Sequence, residues 1–382
     1  MFNKLRIVFV FFLFAFLQDS FAQTWVDSLD SYARESFLPA KNYKWRWTHA
    51  ALLNTMMKEY DNSSPAQKPL YLAYIKTAMN KTYAVANGKT PNSVASAMGL
   101  AFLYSVTNEE KYKTKAEKVY ADYLKIRRTK EGAVSHLMLF TELWDDTMFM
   151  IGEFLLKMYA ATGDEKYLDE FVKQYRLHRE KLQNKEIGLW VHGWDSDNKT
   201  HCTFCSEMYW ADKQTRRSAE MWGRGNGWIV VTLSDALETI PKTNVYWNEL
   251  AGYLKEMIVH LPELQEKETG HWYQLPARKG EAGNWMESSC TAMFAYGINT
   301  ALDLGLVNDA AYRTCVTRAY KGLREYSIIS AGKHYLTTQN VCTGTCIGHA
   351  TYYYKRKAKT GSPYGLGMFI QFGRRYEKRM SE

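Results

Sequence analysis

The stretch TELWDDTMFMIGEFLLKMY, residues 141–159, repeats its apolar residues at the spacing of an α-helix. In a helix over this stretch, Leu143, Asp146, Met150 and Phe154 follow one another at intervals of three, four and four, and so share one face. Asp145 points about 100° away from that face. The spacing therefore predicts a helix that directs Asp146, among apolar side chains, toward the protein interior.

Helical spacing continues through most of the chain on both sides of this stretch. Further segments of this kind are SVASAMGLAFLYSVT (93–107), KAEKVYADYLKI (115–126), KYLDEFVKQYRLHREKL (166–182) and AAYRTCVTRAYKGLREYS (310–327). Strand-like alternation is rare, the turns are short, and no Pro- or Ser-rich linker marks a boundary. No motif repeats at a constant period, which argues against a solenoid. The pattern predicts one all-α domain over residues 23–382, with paired helices closed into a barrel.

The first 22 residues have the composition of a cleaved signal peptide. Lys4 and Arg6 precede an unbroken apolar run over residues 7–17, and Ala22 supplies a small residue before Gln23. The run is too short to span a bilayer as a helix, and no later stretch is long and apolar enough to do so. We therefore expect residues 1–22 to be removed and the mature protein to be periplasmic or secreted, without membrane insertion.

The net charge of +9 favours an acidic partner. The basic residues are scattered among acids, with the densest group at Lys355, Arg356, Lys357 and Lys359, and an exported protein seldom meets nucleic acid. We therefore predict an acidic glycan and no nucleic acid; an ordinary solvated basic face is the alternative. The 27 Tyr, 17 Phe and 12 Trp residues permit a sugar enzyme, since aromatic planes pack on sugar rings, although many of these rings must be core.

The cysteines leave three possibilities open. They are Cys202, Cys205, Cys290, Cys315, Cys342 and Cys346. In an oxidising compartment HCTFC (201–205) and CTGTC (342–346) could form disulfides, and the same spacings together with His201 could bind zinc. Packed or free thiols are the third possibility. The sequence predicts neither a metal site nor a cofactor.

Asp146 and two histidines are the candidates for chemistry. A buried carboxyl is costly to ionise without a partner, so burial raises its pKa and lets Asp146 act as a general acid. The structural alternative is a buried Asp bonded to a backbone amide or an Arg. In GLWVHGWDSD (188–197), His192 lies near Asp195, and a structural His–Asp bond is the simplest interpretation; His136 precedes Asp146 by ten residues. The chain contains no GxSxG, HExxH or Walker motif, so serine hydrolase, zinc protease and nucleotide hydrolase functions lack support.

The stretch EMWGRGNGW (220–228) predicts a glycine-rich loop entering a helix, because apolar residues follow it at helical spacing. It is not a dinucleotide fingerprint, since Trp228 occupies the position of the third glycine. Glycines let a backbone approach a ligand closely, and Arg224 adds a planar fork that suits a carboxylate. Between Trp222 and Trp228 the stretch therefore predicts an anion site for a uronic acid. A tight turn with a packed Arg is the alternative.

Several segments together resemble glycoside hydrolase family 105 and the related family 88, the unsaturated glucuronyl and rhamnogalacturonyl hydrolases. In chain order the matching stretches are LWDDTMFM, GLWVHGWD, MWGRGNGW, GNWMESSCTAMFAYGI, TCIGHATYYYKRK and YGLGMFIQFG. They run in the family's order from about residue 90 to residue 372, which is most of the chain after the predicted signal peptide. The resemblance implies an (α/α)6 barrel and a hydrolase without a cofactor.

The resemblance also assigns roles to residues of this chain. The family's acid/base falls on Asp146, in the pattern W-x-D-x-x-[FY]-M that contains Trp144 and Met150. Positions that line the family's sugar pocket fall on His136, His192, Trp222, Arg224 and Trp228. Many members carry a second Asp near the start of an earlier helix. Here the stretch TPNSVASA offers Asn92 instead, which can bond a hydroxyl but cannot hold charge.

By the same resemblance, the enzyme hydrates the C4=C5 double bond that a polysaccharide lyase leaves on a terminal uronate. Ordinary glycosidases instead place two carboxyl groups across the anomeric carbon. Positive charge and export favour an unsaturated glucuronyl residue linked to rhamnose, from an acidic or sulfated glycan such as ulvan. An unsaturated galacturonyl residue from rhamnogalacturonan is the closest alternative. A polysaccharide lyase and a noncatalytic glycan-binding protein are alternatives from other classes.

Overall fold

The computed structural model describes residues 24–37, 42–197, 206–332 and 334–382, so the predicted signal peptide lies outside the described residues. The α-helices are α1 (Trp25–Phe37), α2 (Trp47–Asn62), α3 (Lys68–Thr82), α4 (Pro91–Val94), α5 (Met98–Thr107), α6 (Glu110–Tyr123), α7 (Thr147–Thr162), α8 (Glu165–Leu182), α9 (Gly223–Thr239), α10 (Trp247–Ile258), α11 (Leu261–Leu264), α12 (Ser288–Asp303), α13 (Ala310–Tyr326), α14 (Ala350–Tyr354) and α15 (Pro363–Ser381). The short strands are β1 (Glu142–Trp144), β2 (Gly193–Asp195), β3 (Trp272–Tyr273), β4 (Met286–Glu287), β5 (Ile328–Ser330), β6 (Leu336–Thr338), β7 (Val341–Cys342) and β8 (Ala358–Lys359).

Six helices form a closed inner ring in the order α2, α5, α7, α9, α12, α15 and back to α2. Each of them packs against one outer helix: α3, α6, α8, α10, α13 and α1, respectively. The inner helices are enclosed by protein; in α12, every residue from Ser288 to Ala301 is buried. The outer helices keep one apolar face inward and a polar face in solvent, as in α13. This arrangement confirms the predicted single-domain (α/α)6 barrel.

Two glycines allow the inner helices α9 and α12 to approach each other closely. A Cβ atom on Gly297 would lie 1.9 Å from Cγ1 of Val230, and a Cβ on Gly227 would lie 2.5 Å from Sδ of Met293. Both distances are far shorter than a van der Waals contact between such atoms. Glycine at these positions therefore sets the spacing of the two helices, and with it the width of the barrel.

The segments that precede the inner helices meet at one end of the barrel. The antiparallel pair β1–β2 places Leu143 opposite Trp194, and β1 leads directly into α7. The pair β3–β4 leads into α12. Trp47, the first residue of α2, contacts Trp228 of α9 and Tyr364 of α15. This end of the barrel therefore carries the motifs in which the sequence predicts chemistry.

The described cysteines are in two states. Cys290, Cys315 and Cys342 are buried free thiols, whereas Cys346 is disulfide-bonded. The stretch CTGTC therefore contains no internal disulfide, and HCTFC lies outside the described residues. Among the helices of the described ranges, none is both long enough and apolar enough to cross a bilayer.

Candidate active site

Asp146 lies where strand β1 ends and helix α7 begins. It is the residue immediately before the helix, and only 8% of its surface is exposed. The prediction of one helix over residues 141–159 is wrong for its first residues, because Glu142–Trp144 pairs with Gly193–Asp195 instead. The amide of Asp145 continues this pairing by donating to the carbonyl of His192, 3.0 Å away. The strand holds the carboxyl at the barrel mouth, and the prediction that Asp146 is buried is confirmed.

The surroundings of Asp146 favour its protonated form. Burial raises the pKa of its carboxyl, while the His136 ring and the charge of Arg224 partly oppose that shift. Oδ1 of Asp146 lies 3.5 Å from Nδ1 of His136. Burial lowers the pKa of His136, so that ring is neutral near pH 7 and the contact is not an ion pair. A carboxyl of this kind can donate a proton to a substrate.

Asn92 reaches the site through His136. Nδ2 of Asn92 lies 3.3 Å from Nε2 of His136, and Nδ1 of the same ring lies 2.9 Å from Oγ1 of Thr147. Because an amide NH2 can only donate, Nε2 accepts and Nδ1 carries the ring proton. The ring is also stacked on Trp144, with centroids 4.5 Å apart. Three predicted site residues, Asn92, His136 and Trp144, therefore lie together beside Asp146.

We expect Asn92→Asp to raise the pKa of His136. A carboxylate at this position would lie about 3.3 Å from Nε2, and an opposite charge that close stabilises the imidazolium, typically by about 1 to 3 pH units. The titration of His136, followed by NMR, measures the change. Asn184→Asp, the same substitution in a distant turn, serves as the control. An unchanged titration of His136 in Asn92→Asp would contradict the assigned contact.

Asp145 is the largest departure from the sequence prediction. It was predicted to point about 100° away from the inward face of the helix, yet none of its surface is exposed. In the turn between β1 and α7, its carboxyl is directed against the first turn of α9, where a Cβ on Gly225 would lie 2.1 Å from Oδ2. Burial, followed by the charge of Asp146, raises its pKa well above the usual value. The two adjacent carboxyls therefore titrate as a coupled pair.

His192 lies behind the two carboxyls and is completely buried. Its Nδ1 is 2.7 Å from the hydroxyl of Tyr353, and its Nε2 is 3.8 Å from Oδ1 of Asp145. Its ring lies 4.6 Å from that of Trp222. The simplest interpretation from sequence paired His192 with Asp195; the hydrogen bond of its Nδ1 is instead with Tyr353, in the late TYYYKRK stretch. Sequence spacing could not reveal this contact, because Tyr353 is far from His192 along the chain.

The stretch GRGNGW is helical and is not the predicted loop. Helix α9 begins at Gly223, with Trp222 as its N-cap residue. A Cβ on Gly223 would lie 3.0 Å from the carbonyl oxygen of Tyr273, so this glycine, like Gly225, makes room for neighbouring groups. The glycines therefore serve close packing of the first turn. The sequence predicted that these glycines let the backbone approach a ligand closely. In the structure, the groups that lie close to the glycines belong to the protein itself.

Arg224 has no exposed surface. Its two terminal nitrogens donate to the carbonyl oxygens of Cys342 and Thr343, each at 2.8 Å, and Nη1 lies 3.6 Å from Oε1 of Glu287. These contacts match the packed-Arg alternative, because they fix the end of β7 and the residue that follows it. Its charge nevertheless acts on the site by lowering the pKa of Asp146. A direct bond from Arg224 to a substrate carboxylate stays a prediction.

Trp228 and Met150 lie deeper in the barrel. Each is about 1% exposed, and the Trp228 ring packs 4.3 Å from Phe149 and edge-on to Trp47. Both belong to the hydrophobic core of the barrel. A role in direct contact with sugar stays a prediction for both.

One group of side chains in the described ranges is compact enough to bind a metal ion. Asp145, Asp146 and His192 each offer a ligand atom, and these atoms lie within 4.8 Å of one another. A cation there would occupy a carboxyl that proton transfer requires. Metal binding and proton donation by Asp146 would therefore exclude each other.

The proteins to which this chain is similar include glycoside hydrolases. The family model of Glycosyl Hydrolase Family 88 matches residues 17–380. The unsaturated rhamnogalacturonyl hydrolase YesR of Bacillus subtilis (strain 168) is 26% identical over 272 residues, which are 68% of this chain and 71% of that protein. An unsaturated 3S-rhamnoglycuronyl hydrolase of Formosa agariphila is 26% identical over 190 residues, 48% of this chain and 46% of that protein. The structure of a family 105 glycoside hydrolase from C. acetobutylicum ATCC 824 superposes with a TM-score of 0.81 at 22% identity, covering 93% of this chain and 100% of the other.

Proposed function

Because this chain belongs to glycosyl hydrolase family 88, we propose that it removes the terminal 4,5-unsaturated uronic acid from oligosaccharides released by polysaccharide lyases. The observation that carries this proposal is the position of Asp146. It is a buried carboxyl at the barrel mouth, with a raised pKa and a neutral His136 beside it. A proton donor of this kind suits an alkene, which must be protonated at carbon before water can add.

In the proposed reaction the proton of Asp146 is transferred to C4 of the uronate. Water adds to C5, and the resulting carboxylate of Asp146 accepts the proton that the water loses, so the acid is regenerated. The product is a hemiketal at C5, which opens and releases the remaining sugar chain. His136 supports Asp146 in the reaction by holding Nδ1 3.5 Å from its Oδ1. The single carboxyl acts in turn as acid and base.

For the substrate we propose an unsaturated glucuronyl residue linked to rhamnose, as in ulvan-type oligosaccharides. The name of the Formosa agariphila relative and the net charge of +9 support this choice. The alternative is an unsaturated galacturonyl residue from rhamnogalacturonan, which the name of the Bacillus subtilis relative favours. The two uronates differ only at C4, and that stereocentre is lost when the double bond forms. Discrimination must therefore come from the neighbouring sugar.

We also propose that the protein is exported to the periplasm or the medium. The support is the N-terminal sequence, in which two basic residues precede an apolar run and a small residue. Export would place the enzyme where extracellular lyases release their products. Comparing the N-terminus of the protein recovered outside the cytoplasm with Gln23 tests this part of the proposal.

Ultraviolet absorbance tests the activity directly. The purified protein is mixed with lyase-generated oligosaccharides from ulvan, rhamnogalacturonan and other acidic polysaccharides, and the absorbance of the conjugated double bond is followed. A hydrolase of the proposed kind removes this absorbance. A lyase would increase it on intact polysaccharide, and a noncatalytic binding protein would leave it unchanged.

The reaction is expected to slow as the pH rises. Asp146 must carry a proton when the substrate binds, and burial raises the pKa at which that proton is lost. The kcat/KM should therefore be constant at low pH and fall as the pH passes the apparent pKa of the Asp145–Asp146 pair. A pH profile of kcat/KM measures this. A rate that rises continuously into the alkaline range would rule out Asp146 as the acid.

A further inference from the structure

A basic cavity is lined in part by residues that lie shortly before helix α4, the helix that carries Asn92. Its volume is about 420 Å³, and its lining includes the cations Lys44, Arg46 and Lys81 together with the rings of Tyr43 and Trp45. Among its lining residues in the described ranges, none is acidic. An aromatic surface beside several cations is a combination suited to an anionic saccharide.

The three cations of this cavity are free to bind a ligand. Among the described residues, the side chains of Lys44, Arg46 and Lys81 have neither an ion pair nor a hydrogen bond with another side chain. All three charges act on the same neighbour, His49. Burial is the main reason that the pKa of His49 falls to about 4, and each of the three charges lowers it further. A positive field with no internal counter-charge attracts anions.

A second cavity, with a volume of about 680 Å³, has the opposite character. It lies at the other end of the barrel, where the inner helices end, and its lining contains six basic and six acidic side chains. Arg375 there is already paired with Glu238 and Asp303. Charges that neutralise one another give no reason for an anion to bind. The smaller cavity is therefore the better candidate for an acidic ligand.

The basic cavity is on the same end of the barrel as Asp146. Arg46 is the N-cap residue of α2, and the next residue, Trp47, contacts Trp228. On the other side, Nε1 of Trp45 donates to the carbonyl oxygen of Asn87, 3.1 Å away. Asn87 and Asn92 are five residues apart, so their Cα atoms are separated by at most about 18 Å. The cavity therefore lies within about 18 Å of the Asn92 backbone, a distance that an oligosaccharide of a few residues can span.

We propose that this cavity binds an anionic group on the leaving-group side of the substrate, either a sulfate ester or the carboxylate of a second uronate. The inference rests on the proposed function, because it assigns a subsite to the same substrate. Arg46 offers a planar fork and the two lysines offer mobile point charges, which together suit either anion. Trp45, oriented by its bond to Asn87, supplies a surface for the sugar ring. The cavity would thus select acidic oligosaccharides over neutral ones.

The test uses the triple variant Lys44→Gln, Arg46→Gln, Lys81→Gln and three unsaturated substrates. One has a neutral leaving group, one has a sulfated leaving group, and one is a tetrasaccharide with a second uronate and no sulfate. We expect kcat/KM to fall at least about tenfold, through KM, on one or both acidic substrates and to remain unchanged on the neutral one. Loss on the sulfated substrate alone identifies a sulfate site, and loss on the tetrasaccharide alone identifies a carboxylate site.

The control is a variant with the same loss of charge elsewhere, Lys125→Gln, Lys185→Gln, Lys321→Gln, whose side chains are exposed. The proposal would be overturned by an equal loss of kcat/KM in both variants, by an equal loss on all three substrates, or by no loss at all. Calorimetry with a sulfated oligosaccharide that lacks the C4=C5 double bond measures binding without the reaction. It therefore separates failure of the cavity proposal from failure of the proposed function. Binding that is weakened at least about tenfold in the first triple variant alone supports the cavity, and equal binding by both variants refutes it.

Discussion

Replacement of Asp146 by asparagine is expected to abolish hydration of unsaturated oligosaccharides. The amide keeps the shape of the side chain but cannot give a proton to C4 or accept one from water. The loss of a general acid–base group corresponds to a fall in kcat of about 100- to 10,000-fold. The rate at which the alkene absorbance disappears measures it, with substrate at saturating concentration.

The control for this variant is Asp61→Asn, the same substitution at an exposed position at the other end of α2. It should retain full activity. The thermal midpoint of Asp146→Asn should not fall. The Asp146 carboxyl contacts a neutral His136 ring, so this contact is not an ion pair that the substitution would break. If Asp146→Asn digests the substrates at the parental rate, the proposed acid is wrong.

Gly225→Ala is expected to damage the site through the backbone. The new Cβ would lie 2.1 Å from Oδ2, 2.3 Å from Oδ1 and 2.4 Å from Cγ of Asp145. Because Asp145 is completely buried and adjoins Asp146, either helix α9 or the turn before α7 must move. Overpacking of this kind costs about 1–3 kcal/mol of stability. A shift of about 1 Å in a catalytic group can lower the rate about 100-fold.

Gly252→Ala provides a matched control within helix α10. A Cβ there meets nothing within 4 Å, so only the helix preference of alanine acts, and the variant should gain up to about 1 kcal/mol. Chemical denaturation and the hydration rate are measured for both variants. The assigned packing of Asp145 against α9 is contradicted if Gly225→Ala is as stable and as active as Gly252→Ala.

Selection of the leaving group in the proposed substrate depends on residues outside the motifs. Lys44 and Arg46 precede α2, and Lys81 lies at the end of α3. None of the three belongs to one of the motifs that carry the resemblance to the family. An enzyme of this family can therefore keep one reaction centre while the surrounding charges change its substrate. In this chain, the basic cavity is the feature on which an effect of surrounding charge on substrate choice can be tested.

The sequence determined the helical class, the single domain and the buried position of Asp146. Helical periodicity is local, since residues three or four apart share a face whatever the rest of the chain does. The order of the motifs added the barrel and the candidate residues. The same local reasoning began the helix at 141–159 too early, because the pairing of β1 with β2 involves residues about fifty positions apart.

Only the tertiary structure decided the partners of the site residues. Asp145 is buried because Gly225, much later in the chain, leaves room for its carboxyl. Arg224 donates a hydrogen bond to the end of β7. Asn92 of helix α4 contacts His136, which lies before strand β1. Each contact depends on how distant segments are brought together, and residue spacing contains no information about that. Burial and charge at the barrel mouth, which set the pKa of Asp146, are therefore properties of the assembled fold.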